Sequence, residues 1–400
     1  MGSNRNFLPY GKHTIDDDDV AAVVDVLRSD FLTAGPGVER FEETFSRIVG
    51  GVPAAVCANG TAALHLASLA LGIGQADIVI VPSITFLATA SAPHLLGANV
   101  VFSDVDPHSG LITAETLQAA FERAKTKVKA VFPVHLNGNP ADLASLAEVA
   151  HAHGAAMVED ACHALGGSYR GQPIGSGAYS DLATFSFHPV KAVAMGEGGV
   201  VTGKDPDLIE RVRLFRSHGM VRDSSSFLQP DMAFDKDGNL NPWYYEMPQP
   251  AFNYRASEIN CALGLSQLNK LQAFIARRAE LAARYDELLE PYNDMVRPVA
   301  RTHASVSGWH LYAVLIDFDK LAITKARLMY SLRERGIGTQ VHYIPVHLQP
   351  YWRRTQKNFM LPGAERYYKM CLSLPLYPAM SDDDVFYVAT QLFGVLGLER

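Results

Sequence analysis

An α/β fold, with a large domain whose mostly parallel sheet lies between helices and a smaller C-terminal α+β domain, is what this sequence predicts, and three observations predict it. Short, uniformly hydrophobic runs alternate with helical patterns from about residue 55 to 205, as expected of strands covered on both faces. A long amphipathic stretch follows at 258–292. Beyond it, strand-like and helical segments alternate again to the end of the chain.

The strand candidates of the first region are Val79–Val81, Val100–Phe102, Ala130–Phe132, Met157–Glu159 and Leu182–Phe187. Between them lie segments of helical period, such as Leu143, Leu146, Val149 and Ala150. Residues 222–250, "RDSSSFLQPDMAFDKDGNLNPWYYEMPQP", break the alternation. They are polar, bear prolines and are too long for an idle connection, so a hairpin or an arm toward a partner subunit is expected. In the stretch 258–292, Leu271, Phe274, Ile275, Leu281, Tyr285, Leu288 and Tyr292 recur at helical spacing. Arg277, Arg278, Glu280, Arg284 and Glu287 fill the positions between them, and one helix packing across a domain boundary is expected. "GWHLYAVLIDF", a helix around Arg327–Arg335 and "GTQVHYIPV" make up the smaller domain. The boundary is placed at 250/251, giving a large domain over 1–250 and a smaller one over 251–400.

Composition narrows the function. Four hundred residues with 48% hydrophobic and 19% charged side chains are ordinary for a globular protein, and the net charge of −7 gives no basic field for nucleic acid. Cys57, Cys162, Cys261 and Cys371 are widely spaced and form no metal-ligand pattern, so reduced thiols are expected, with no metal site. No signal peptide or membrane span is visible, and a cytoplasmic protein is expected.

Three motifs converge on one chemistry. In "CANGTAALHLASLALG", Gly60 and Thr61 open a helix after an apolar run, and such a helix start offers free N–H groups to a phosphate. Asn-Gly-Thr is equally an ordinary capping sequence. In "MVEDACHALGG", a strand ends on Glu159-Asp160, which brings a carboxylate to the edge of the sheet where ligands bind, or else caps the next helix. His163 faces the same place if the turn is helical. In "FSFHPVKAVAMGEGGV", Ser186 and Lys191 face one bound group if the segment loops, and the glycines after them allow close backbone approach. Pyridoxal phosphate needs a phosphate cradle, a carboxylate for its ring nitrogen, an aromatic face and a lysine for the Schiff base. Phe86 of "VPSITFLAT" is the candidate aromatic.

Taken in order, "LTAGPGVERFE", "NGTAALHLA", "PSITFLATA", "VEDACHALG", "SFHPVKAVAMGEGG", "FNYRASEINCALGLSQL" and "HYIPVHLQPYW" resemble the nucleotide-sugar aminotransferases of the aspartate-aminotransferase fold, over about residues 8–395. "SFHPVK", "WYYEM" and "VHYIPVHLQPYW" are most similar to the subgroup of UDP-4-amino-4,6-dideoxy-N-acetyl-β-L-altrosamine transaminases, which serve pseudaminic acid synthesis. The resemblance implies a PLP-dependent transferase of fold type I. It implies Lys191 as the Schiff-base lysine and proton shuttle, Asp160 on the pyridine nitrogen, His163 near the ring hydroxyl and Phe86 stacked on the ring. Gly60, Thr61 and Ser186 would hold the phosphate, and Asn253 would reach the phosphate of the neighbouring subunit's cofactor, which implies a homodimer. Tyr10, Thr33, Arg255 and His342 match positions lining the substrate pocket, although His342 and His347 fit buried structural roles equally well. L-Glutamate would be the amino donor and a UDP-linked 4-keto-6-deoxy-N-acetyl hexose the acceptor, with GDP- or dTDP-linked ketosugars as alternatives.

The chain departs from the pattern at Leu136-Asn137, where that subgroup tends to have an aromatic and a small residue, and at Asn59, where serine is common. The first bears on sugar specificity; the second keeps the glycine donor. Lys191 argues against the related sugar dehydratases, which resemble this chain but carry histidine there. The intact lysine, aspartate and phosphate set argues against a non-catalytic cofactor-binding relative.

Overall fold

The computed structural model describes residues 6–124, 126–355 and 359–398. Its centre is a seven-stranded sheet in the order Ala54–Cys57, Gly199–Thr202, Leu182–Ser186, Ala156–Asp160, Val128–Val131, Ile78–Pro82 and Asn99–Ser103. Only Gly199–Thr202 runs against its neighbours; the last five strands in that order are mutually parallel. The strands are largely apolar because both faces are covered, with Asn99 and Lys129 exposed. Ala54, Val56, Ile78, Ile80 and Phe185 join one core, whereas Ala55, Cys57, Val79, Val81 and Leu182 join the other, as the two-residue repeat of a strand requires. All five strand candidates therefore fall on strands of this sheet.

Its carboxyl ends gather the loops that matter. Strand Ala156–Asp160 pairs in parallel with Leu182–Ser186, with Asp160 opposite Thr184, and Ser186 in turn lies opposite Gly199. Strand Ala54–Cys57 leads directly into helix Gly60–Ala70.

A second, three-stranded antiparallel sheet is made of Val296–Pro298, Tyr312–Ile316 and Cys371–Leu374. Helices Leu271–Leu289, Lys325–Glu334 and Asp382–Leu396 pack with it around Tyr285, Val314, Leu372 and Val388. The N-terminal segment is laid along this part of the chain. Leu8 N–H donates to Gly336 O and Gly338 N–H to Leu8 O, both at 2.8 Å, while Leu376 N–H donates to Tyr10 O at 3.1 Å.

The single helix expected over 258–292 is two, Glu258–Leu268 and Leu271–Leu289, with a short 3-10 turn at Glu290–Tyr292. Asn269 and Lys270 keep right-handed dihedrals (φ −62°, ψ −23° and φ −98°, ψ −6°). The apolar repeat therefore runs on through the break, and pattern alone does not reveal it. Lys270 at the break is paired with Asp16 and with the buried Asp19. Arg278, which spacing groups with the charged face, is only 2% exposed.

Residues 222–250 form a loose excursion holding a 3-10 turn, the short helix Pro230–Ala233 and the bridges Val221–Glu246 and Phe234–Leu240. Leu228 and Trp243 stand 71% and 75% exposed on it. The four cysteines are free; Cys162 is half-buried and the other three are buried. Among the described residues no helix is long and apolar enough to cross a membrane.

Candidate active site

A cavity of about 600 Å³ opens at the carboxyl ends of the parallel strands. Nine of the residues singled out in the sequence line it: Tyr10, Gly60, Thr61, Phe86, Asp160, His163, Ser186, Lys191 and His342. Thr33, Asn253 and Arg255 do not. Thr33 is exposed and bridges the backbone of Ser257; Asn253 is exposed and bridges Ser217; Arg255 is half-buried beside them.

The helix start is built as its sequence demands. Asn59 takes the N-cap position in extended conformation, and its side chain accepts from Ala62 N–H at 2.8 Å. That leaves the N–H groups of Gly60 and Thr61 with no partner inside the helix. Glycine is required at 60: a Cβ there would lie 2.7 Å from Ser186 Cβ. The helix start and the end of strand Leu182–Ser186 thus meet with no room to spare.

Asp160 ends its strand, and no helix follows it to cap. Its carboxylate is held in place instead, with Oδ2 accepting from Thr89 Oγ1 at 2.6 Å and Oδ1 from Cys162 N–H at 3.2 Å. Since the Thr89 hydrogen goes to Asp160, Thr85 Oγ1 is the donor in its 2.7 Å contact with Thr89. The result is a buried hydroxyl relay behind an anion.

Lys191 lies on the loop after strand Leu182–Ser186, its amide donating to His188 O at 2.8 Å. Loss of water around the ammonium pushes its pKa below the usual lysine range, against an opposite pull from Cys162 and Asp160. The shift raises the share of free amine, the nucleophilic form, above that of an exposed lysine.

Three histidines crowd the far wall. His163 Nδ1 accepts from Asn137 N–H at 3.3 Å, so its proton sits on Nε2 and is donated to Tyr343 Oη at 3.1 Å. His163 and His310 lie with ring centroids 4.3 Å apart. Burial, with Lys191 nearby, pushes His163 and His310 well below the ordinary histidine range and His342 down to about 3, so all three are neutral at physiological pH. His342 Nδ1 is also within 2.8 Å of Ser373 Oγ. The mouth is apolar on one side, with Phe86, Leu87 and Ile344 about half exposed, and polar on the other, with His188, Glu197 and Gln349.

Sequence reasoning missed Thr89, Cys162, His310 and Tyr343. Tyr343 stands beside His342 in the quoted "HYIPVHLQPYW", and His310 in "GWHLY", so adjacency was the available signal for the first. Thr89 lies in helix Leu87–Leu95 and Thr85 just before its N-cap Phe86, so the two hydroxyls meet across the helix start.

A nucleophilic amine, a fixed carboxylate and a bare helix start around one cavity define a class: enzymes that bind pyridoxal phosphate through a lysine. The residues fit that group on their own geometry. Gly60 and Thr61, whose N–H groups have no partner inside the helix, line the cavity together with Ser186 and so suit an anion, and His310 Nδ1, buried at the cavity wall, has no hydrogen-bond partner. Comparison with known proteins agrees. The chain belongs to the DegT/DnrJ/EryC1/StrS aminotransferase family, whose description matches residues 13–393. It is a pyridoxal-phosphate-dependent sugar aminotransferase.

The spore coat polysaccharide biosynthesis protein SpsC of Bacillus subtilis is 37% identical over 389 residues, 96% of either chain. Helicobacter pylori PseC, an aminotransferase involved in the biosynthesis of pseudoaminic acid, superposes with a TM-score of 0.88 at 28% identity, covering 98% of this chain and 100% of that one. The PLP-form of the sugar aminotransferase Spr1654 from Streptococcus pneumoniae gives 0.86 at 27% identity, with 98% and 99% covered.

Proposed function

We propose that this enzyme moves an amino group from L-glutamate to C4 of a UDP-linked 4-keto-6-deoxy-N-acetyl hexose, yielding UDP-4-amino-4,6-dideoxy-N-acetyl-β-L-altrosamine or a close relative for a surface glycan. The observation that carries the reading is the meeting of Lys191, Asp160 and the Gly60 helix start in one cavity. The choice of sugar is supported by the "SFHPVK" and "VHYIPVHLQPYW" motifs and by the likeness to PseC.

Bound in the cavity, pyridoxal phosphate supplies a carbonyl that captures amino groups and a ring that takes up negative charge. The chain does the rest. Lys191 would hold the cofactor through its amine and would carry the proton at Nζ; loss of water around that amine lowers its pKa and so raises the share of the unprotonated form that both tasks need. Asp160, steadied by Thr89, places a negative charge where the ring nitrogen must stay protonated. Gly60, Thr61 and Ser186 would hold the phosphate, Phe86 would cover the ring, and His163 would serve the ring hydroxyl. Tyr10 and His342 border the space left for the sugar.

Thr33, Asn253 and Arg255 complete the site from a second copy of the chain. Backbone bridges 33–257 and 217–253 place all three on one strip outside this chain's own cavity, which supports a homodimer with shared sites. The exposed apolar side chains of the 222–250 excursion fit an arm onto the same partner. The enzyme works in the cytoplasm, where nucleotide sugars and glutamate meet.

The test is spectroscopic. The purified protein is converted with L-glutamate, freed of donor, and offered UDP-, dTDP- and GDP-linked ketosugars separately. Return of the visible band with the UDP-linked 4-keto-6-deoxy-N-acetyl sugar alone is the expected result; return with another ketosugar replaces the acceptor. Lys191→Ala should abolish transamination, and near-normal turnover by that variant would refute the role given to Lys191.

A further inference from the structure

Residues 191–195 carry the site lysine yet belong to no helix or strand, so their backbone groups need partners from elsewhere. Part of the need is met within the loop, where Met195 N–H donates to Phe187 O at 3.0 Å. Further partners come from three side chains on helices Glu258–Leu268 and Leu271–Leu289. Arg278 donates Nη2 to Lys191 O and Nη1 to Ala192 O, each at 3.4 Å. Gln267 Oε1 accepts from Ala194 N–H at 3.4 Å, and Asn260 Nδ2 donates to Met195 O at 2.6 Å. Gln267 is itself fixed, because its Nε2 donates to Asp19 Oδ2 at 2.7 Å and to Thr14 O at 2.9 Å.

Arg278 is an expensive way to fill a core position. It is 2% exposed, its Nε has no partner, and no carboxylate pairs with it among the described residues. Burial pushes its pKa down to about 10, which still leaves it charged at neutral pH. Its hydrogen-bond partners among the described residues are the carbonyls of Lys191 and Ala192, and an apolar side chain of similar volume would satisfy packing at less cost. A rigid fork of donors, by contrast, is suited to holding two successive carbonyls.

We propose that Arg278, Asn260 and Gln267 are positioning residues: they fix the backbone of residues 191–195 and thereby direct the Lys191 side chain into the cavity. The proposal rests on the reading of Lys191 as the cofactor-binding lysine. It differs from a plain packing role in what it predicts, because packing alone would move thermal stability and leave the behaviour of Lys191 unchanged.

The experiment uses full-length protein and the variants Arg278→Met, Arg278→Lys and Asn260→Ala. The pH profile of Lys191 acylation by acetic anhydride, read by peptide mass spectrometry, reports the lysine before cofactor is added; kcat and KM are then measured on loaded protein. Arg278→Met and Asn260→Ala are expected to shift the acylation midpoint by about half a pH unit or more. They should lower kcat roughly tenfold with KM little changed, as a misplaced reacting group does. Arg278→Lys, which keeps the charge but not the fork, should recover part of both. A wild-type acylation profile and kcat in these variants, with only the melting temperature lowered, would overturn the proposal. Asn260 is half-buried, and if Arg278→Met does not fold, Asn260→Ala decides on the same readings. Borohydride trapping of the loaded wild-type protein is read separately, since a label on another lysine refutes the parent reading and not the cradle.

Discussion

Replacing Gly60 by alanine tests the phosphate cradle most directly. The added Cβ would lie 2.7 Å from Ser186 Cβ, 3.1 Å from Ser186 Oγ and 3.4 Å from Cys162 Sγ. Carbon atoms settle at about 3.5–4.0 Å, so the helix start and the strand end must part by roughly 1 Å. Strand Leu182–Ser186 is pinned on both sides by its sheet neighbours, and the helix start is therefore the part that moves. Overpacking of this kind costs about 1–3 kcal/mol, offset by up to about 1 kcal/mol from the better helix former. The net loss of stability is about 0–3 kcal/mol. The phosphate suffers as well, because displacing one charge-assisted donor forfeits about 1.5–3 kcal/mol, or about a 10- to 150-fold weaker cofactor affinity. Titration of the cofactor-free protein with pyridoxal phosphate, followed by visible absorbance, measures this, and thermal melts measure the stability. Ser186→Gly removes the clashing atom, so the double variant should melt higher than the sum of the two single changes predicts. Wild-type affinity in Gly60→Ala, or simple additivity of the melting shifts, would refute the close-approach argument.

Two further outcomes are expected. Thr89→Val deletes the 2.6 Å donor to Asp160 and should weaken cofactor binding about tenfold by the same titration, with Thr85→Val, one hydroxyl further back, doing less. His342 is held neutral in the folded state, with its pKa at about 3, so the unfolded chain takes up the proton first. The stability from that group is fully present above about pH 6.5 and is lost as pH falls toward 3. His342→Gln should thus lose less stability than the wild type between pH 7.5 and 5.5, by about 1.4 kcal/mol, in denaturant unfolding at the two pH values; equal losses would show that His342 is not the group concerned.

What the sequence made legible was whatever a local pattern encodes. Uniform hydrophobicity located the strands of the large sheet, and chain order along them brought Asp160, Ser186 and the Gly60 helix start to the same edge. Lys191 was found because its neighbours made it odd: a long cation between aromatic and glycine-rich segments. What stayed hidden depends on approach across long intervals of chain. Thr89 meets Asp160 across 71 residues, and nothing at either position announces the other. The break at Asn269–Lys270 escaped because both residues remain in helical dihedrals. Arg278 shows the limit of helical wheels most plainly. Its place in the repeat assigns it to the charged face, but the face it occupies looks onto the lysine loop and not onto solvent.

The bond from Asn137 to His163 to Tyr343 has a direction. A backbone N–H can only give, so His163 receives on one side and gives on the other, and Tyr343 receives in turn. The phenol's own hydrogen is then left for whatever enters the cavity. That wall is a fixed hydrogen giver, built without any charge, and it selects visitors that bring a lone pair: a ring hydroxyl, a sugar carbonyl, a phosphate oxygen.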